Sequence, residues 1–151
     1  MSIIRITKQF TFEMAHALSD YDGLCRNIHG HSYHLDVTVK GVPNNEQNCP
    51  KQGMLIDFAD LKKIVNEEII HPYDHALLLN QYTNEDLVTT LQKSYDKVVL
   101  VPFQPTTENM LTEFAQKLQK ELPSQVQLFS MKLSETDRSF AEWYADDNLC
   151  M

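Results

Sequence analysis

The sequence predicts an α+β domain, a four-stranded antiparallel sheet with two main helices on one face. Three observations predict it. Two runs near the start, 3–12 and 33–40, alternate apolar and polar residues with the period of a strand. Two stretches further on, one opening at Asp57 and one at Thr106 or Thr107, repeat apolar residues at helical spacing. Two β-rich runs, 126–134 and 139–145, close the chain. With 151 residues, 42% hydrophobic and 23% charged, the chain reads as a single domain over 1–151 with the composition of an ordinary globular protein.

In the first strand Ile4, Ile6, Phe10 and Phe12 share one face, with Lys8 as the polar exception. In the second, Leu35, Val37 and Val39 alternate with His34, Asp36, Thr38 and Lys40, the pattern of a half-buried strand. Residues 41–53 hold two glycines, two prolines and three asparagines, a long hairpin connection or loop. Asp57 caps the first helix, Phe58, Leu61, Val65 and Ile69 form its apolar stripe, and Pro72 is expected to end it near Ile70. Asn84 opens a short helix over 84–95, and Val98 to Phe103 reads as a buried strand or extended segment. The last helix turns Met110, Leu111, Phe114 and Leu118 inward and stops at Pro123. An open sheet of this kind has two unpaired edges, which favour association with further copies of the chain.

A net charge of −8 argues against nucleic acid or an anionic membrane surface as partner. The longest aliphatic run, Val98 to Val101, is far shorter than the ~20 residues of a membrane helix. Three cysteines, Cys25, Cys49 and Cys150, make a poor disulfide framework, and the N-terminus has charges where a signal peptide would be apolar. A cytoplasmic protein is expected.

The chemistry concentrates in His16 and in Cys25-Arg26-Asn27-Ile28-His29-Gly30-His31. Residues two apart on a strand share a face, so His29 and His31 point the same way, and an antiparallel partner strand can bring His16 beside them. Three imidazoles with an open fourth position are a recurring ligand set for catalytic zinc. Cys25 has two readings from its residues alone: a fourth ligand closing a structural site, or a free thiol acting as base or nucleophile. Asp74-His75 joins a carboxylate to an imidazole, but neighbours on an extended chain diverge, so the pair works only if the backbone turns there. Glu135 at a strand end, and Thr107 and Glu108 in a first helical turn, read first as solvated or capping groups. Trp143, Tyr144 and Phe140 are assigned to packing.

These residues belong to a longer ordered set: Phe12-Glu13-Met14-Ala15-His16, Cys25-x-x-x-His29-Gly30-His31, the run from Gly53 to Lys62, Asp74-His75, Pro105-Thr106-Thr107-Glu108-Asn109, and Glu135-Thr136. In this order, over nearly the whole chain, they resemble the 6-pyruvoyltetrahydropterin synthase superfamily, and within it the carboxy-type branch of queuosine precursor biosynthesis. The three-residue gap between Cys25 and His29 and the Asp57-Phe58 pair are similar to that branch. The loops at 41–53 and 81–104 are longer than in the shortest members.

The resemblance implies a tunnelling fold, with trimers closing an oligomeric barrel and two trimers stacking into a homohexamer whose sites lie between subunits. It implies a lyase that takes 7,8-dihydroneopterin triphosphate to 6-carboxy-5,6,7,8-tetrahydropterin, releasing acetaldehyde and triphosphate. It implies Zn2+ held by His16, His29 and His31, Cys25 as the proton-transfer base, His75 with Asp74 as the complementary relay, and Glu135 as acceptor from the pterin ring. Thr107 and Glu108 would help to line the pterin pocket. Two other readings stand beside it: a 6-pyruvoyltetrahydropterin synthase, and a non-catalytic zinc- or pterin-binding protein in which Cys25 is also a ligand.

Overall fold

The computed structural model describes residues 2–148, so Cys150 lies outside it. Strand β1 (Ile4–His16) pairs antiparallel with β2 (His29–Gly41) along its whole length, from Ile4 opposite Gly41 to His16 opposite His29. Both strands run further toward the histidines than the alternation of 3–12 and 33–40 predicts. The alternation nevertheless continues: Phe10, Phe12, Met14 and His16 are buried on one side, with exposed Gln9, Thr11 and Glu13 on the other.

The sheet is not the four-stranded antiparallel one expected. It is mixed and six-stranded, and beyond β1 it gains two strands, β3 (Ala76–Asn80) and β4 (Val98–Val101), which run parallel to β1 and to each other. On the far side β2 pairs with β5 (Gln127–Thr136), and β5 with β6 (Ser139–Tyr144), both antiparallel as expected. Strand β3 reads Ala-Leu-Leu-Leu-Asn, with Ala76, Leu78 and Leu79 all buried. A strand covered on both faces loses the period of two and gives a continuous apolar run. The short helix begun by Asn84, which spans Glu85–Ser94, is the crossover that two parallel neighbours require.

The first helix, α1 (Phe58–Val65), begins where expected, with the Asp57 carboxylate accepting the Ala59 N–H at 2.8 Å. It does not stop before Pro72. The helix widens into a π turn over Asn66–Ile70 and continues as a final α turn, α2 (His71–Tyr73). The His71 N–H reaches back to the Asn66 carbonyl, and Pro72 then falls in the first turn of the next segment, a position where proline is tolerated. Phe58 is also not in the apolar stripe: it is half exposed, with the Lys8 ammonium 5.8 Å from its ring centre. With the crossover helix counted as α3, the last helix is α4 (Thr107–Glu121), capped by Thr106 and left in extended backbone at Leu122, just before Pro123.

Helices α1 and α4 cover one face of the sheet. Leu61, Val65 and Ile69 meet Met110, Phe114 and Leu118 over Tyr33, Leu35, Val37 and Val39, which have no exposed surface. The opposite face of β1 and β2 is polar. Thr7 and Thr38 share a hydrogen bond of 2.8 Å, and the Gln9 amide donates to Asp36 at 3.0 Å. Among the described residues no helix is long and apolar enough to cross a membrane.

Candidate metal and thiol site

The pairing of β1 with β2 sets His16 against His29 and Met14 against His31, so the three imidazoles emerge together at the end of the core face. Their ring centres lie 4.6, 5.0 and 5.3 Å apart. His16 is 2% exposed.

Two main-chain carbonyls orient two of the rings. The Nδ1 of His16 lies 2.7 Å from the Pro105 carbonyl, and the Nδ1 of His29 lies 2.7 Å from the Asn27 carbonyl. A carbonyl only accepts, so both Nδ1 atoms carry hydrogen and both Nε2 atoms present lone pairs when the rings are neutral. Those two Nε2 atoms are 3.1 Å apart. Facing lone pairs repel, whereas a cation between them binds both. Donors around one tetrahedral zinc stand roughly 3.3 Å apart, given Zn–N distances of about 2.0–2.1 Å.

The Nε2 of His31 is buried without a hydrogen bond, although Glu135 Oε1 lies 3.1 Å away at an angle unsuited to one. Glu135 Oε1 is also 3.4 Å from His16 Nε2. The four donor atoms fall within 4.8 Å of one another, so the donor set suits a metal ion. The nearby imidazoles, His16 first, hold the Glu135 carboxyl below its usual range against the opposing effect of burial. Burial pushes the His31 imidazole down, with Glu135 pulling the other way. Burial likewise raises the Tyr33 phenol, whose ring packs edge-on against His31 at 5.6 Å.

A cavity of about 300 Å³ opens beside this cluster. Its wall includes His16, Cys25, Thr107, Glu108 and Glu135, so one space gathers five of the residues singled out in the sequence. Cys25 sits in a single turn, Leu24–Arg26, and its carbonyl accepts the Leu18 N–H at 3.0 Å. Its thiol is free and exposed, and it is not part of the four-donor group. Glu135 is the unpaired residue of a bulge in the β5–β6 ladder, on the parity of buried Met131 and Leu133.

Asp74 and His75 lie elsewhere. His75 has φ 59°, a left-handed turn that brings its Nδ1 to 3.0 Å from the Asp74 carboxylate. The required turn is therefore present. His75 lines a second cavity with Glu13, Met14, Ala15, Gly30, His31 and Ser32, and no residue lines both cavities. The Glu13 N–H, donating to the Asp74 carboxylate at 2.9 Å, is the main influence holding that carboxyl below its usual range.

The sequence reading missed three contributors. The carbonyls of Asn27 and Pro105 carry no residue-type signal. Phe140, assigned to packing, is 53% exposed and lines the first cavity, which its place opposite Ser134, one residue before Glu135, could have indicated.

The curled α+β sheet carries a cage of imidazoles that could hold a metal ion, next to a cavity lined by a thiol and by Glu108 and Glu135. Residues 5–146 match the family model described as 6-pyruvoyl tetrahydropterin synthase. The chain belongs to this family of pterin synthases, enzymes of the lyase type. It is 40% identical over 144 residues to the 6-carboxy-5,6,7,8-tetrahydropterin synthase of Haemophilus influenzae, a match covering 93% of this chain and 99% of the relative. It is 32% identical over 147 residues to the human 6-pyruvoyl tetrahydrobiopterin synthase, covering 89% and 87%. In fold it is similar to an uncharacterized protein of Wolinella succinogenes (TM-score 0.72, 20% identity, 96% and 99% covered). The 6-pyruvoyl tetrahydropterin synthase of Caenorhabditis elegans is also similar (TM-score 0.67, 23% identity, 96% and 97% covered).

Proposed function

We propose that this chain is a zinc-dependent lyase that converts 7,8-dihydroneopterin triphosphate and water to 6-carboxy-5,6,7,8-tetrahydropterin, acetaldehyde and triphosphate, in queuosine precursor biosynthesis. The observation that carries the reading is the convergence of three imidazoles and Glu135 on one point, with His16 and Glu135 of that group lining the cavity that also holds a free thiol. The likeness to the Haemophilus enzyme supports the carboxy-type product over the pyruvoyl-type one.

In this reading His16, His29 and His31 hold the ion. Bound zinc supplies Lewis acidity, lowering the pKa of a side-chain hydroxyl of the substrate. Cys25, free of the donor set, takes a proton from the substrate side chain. Glu135 accepts the paired N–H donors of the pterin ring, a carboxylate being the complementary acceptor. Its contact with the imidazoles gives way to the metal and the pterin. Thr107 and Glu108, in the first turn of α4, flank the ring. His75, oriented by Asp74, is the second proton carrier. Because His75 lines the other cavity, the Asp74–His75 pair would serve Cys25 of a neighbouring subunit, which fits a homohexamer built as a dimer of trimers.

The test is incubation of zinc-loaded protein with 7,8-dihydroneopterin triphosphate and mass spectrometry of the products. Carboxytetrahydropterin with acetaldehyde is expected. Pyruvoyltetrahydropterin alone would assign the chain to the other branch, and no conversion would favour a binding protein.

A further inference from the structure

His75 is 75% exposed at its side chain, so no packing fixes its ring. Its aim comes from the Asp74 carboxylate and from the peptide that joins the two residues. Both polar atoms of that peptide are bonded. Its N–H, on His75, donates to the Glu13 carbonyl at 2.6 Å. Its carbonyl, on Asp74, accepts from the Lys97 ammonium at 2.5 Å.

The same ammonium donates to the His71 carbonyl at 2.6 Å, which ties the peptide to the last turn of the composite helix. Lys97 lies one residue before β4, and its own carbonyl accepts the Leu77 N–H at 2.9 Å, so its main chain is anchored to β3. Among the described residues no carboxylate stands within ion-pair distance of Lys97. Its ammonium is directed at two main-chain oxygens, and its charge is the smallest of the influences that hold the Asp74 carboxyl below its usual range. A non-glycine residue at φ 59° is strained, and it persists only where neighbours over-determine it. Glu13 and Lys97 do so from opposite sides of one peptide.

We propose that Lys97 is a positioning residue for the Asp74–His75 pair, pinning the peptide between them so that the exposed imidazole is held in one direction. This rests on the reading above, in which His75 carries a proton. It also assigns a purpose to part of the long segment 81–104, which supplies the lysine.

The experiment is a double-mutant cycle on the zinc-loaded enzyme with Lys97→Met, Lys97→Arg, His75→Ala and the Lys97→Met/His75→Ala pair. Displacing a catalytic group by about 1 Å can cost about 100-fold in rate. Lys97→Met is therefore expected to lower kcat by about 10- to 100-fold with KM and zinc content unchanged, and Lys97→Arg, which keeps charge and donors, to recover most of it. In the His75→Ala background Lys97→Met should cost nothing further. Wild-type kcat in Lys97→Met, or the same fold-loss in the His75→Ala background, would overturn the proposal. If Lys97→Met fails to fold, Lys97→Gln, neutral but still a donor, replaces it in the same cycle. Full activity in His75→Ala alone would instead remove the role of His75, and with it this inference, while leaving the reaction assignment standing.

Discussion

Mixing Cys25→Ala chains with His75→Ala chains should create working sites that neither parent possesses. The thiol lines one cavity and the imidazole of His75 another, with no residue common to both walls. In the proposed reading, a site that uses both takes one from each of two subunits. In a randomly reassembled equimolar mixture, half of the subunits offering a thiol carry it intact, and half of the neighbours carry the intact imidazole. About a quarter of wild-type activity should therefore return, in a closed ring where every subunit meets the next in the same way. The assay is product formation after the two variants are co-unfolded and refolded with zinc, against each variant treated alone. Activity no higher than the parents would refute the reasoning, since it would mean that Cys25 and His75 do not act together across an interface.

Replacing His31 by Ala removes one of three convergent nitrogens and should loosen zinc by at least about 10- to 100-fold, the scale seen even for outer partners of a metal ligand. Retention of one zinc per chain after dialysis would exclude His31 from the ligand set. Leu35→Ala, at a position with no exposed surface, should destabilise the fold by about 2–5 kcal/mol in urea unfolding. Asp74 has a folded-state pKa below the ordinary carboxylate value of about 3.9. Its contribution to stability is thus complete above that value and is lost as pH falls through the depressed one. Asp74→Asn should flatten the acid limb of stability against pH, and parallel limbs for the two proteins would show that the carboxylate contributes nothing.

The helices and the two long strands were legible because their burial is one-sided. Leu35, Val37 and Val39, or Met110, Phe114 and Leu118, repeat with the period of the element that carries them. The cluster of His16, His29 and His31 was legible for the same reason, since two residues apart on a strand is a spatial statement. Strand β3 was not, because burial on both faces erases the period on which such a reading depends. Pro72 misled because proline normally ends a helix, and only the π turn ahead of it makes it tolerable. The relation of Cys25 to Asp74-His75 depends on which side of the sheet each loop emerges, and nothing local encodes that. The oriented tautomers of His16 and His29 rest on carbonyls, which every residue has.

The π turn over Asn66–Ile70 has a meaning beyond tolerance of Pro72. Such a turn is an α-helix holding one residue more than its hydrogen bonds need. That residue advances the phase of all that follows by about 100°, the angle one residue subtends in a helix. The chain leaves the helix at Asp74, and the direction in which it leaves decides whether the carboxylate meets the Glu13 N–H. The length of 66–70, more than its composition, therefore works as a rotary adjustment. Deleting one of its residues would be felt first at His75, which would be turned away from β1 while the packed residues upstream kept their places.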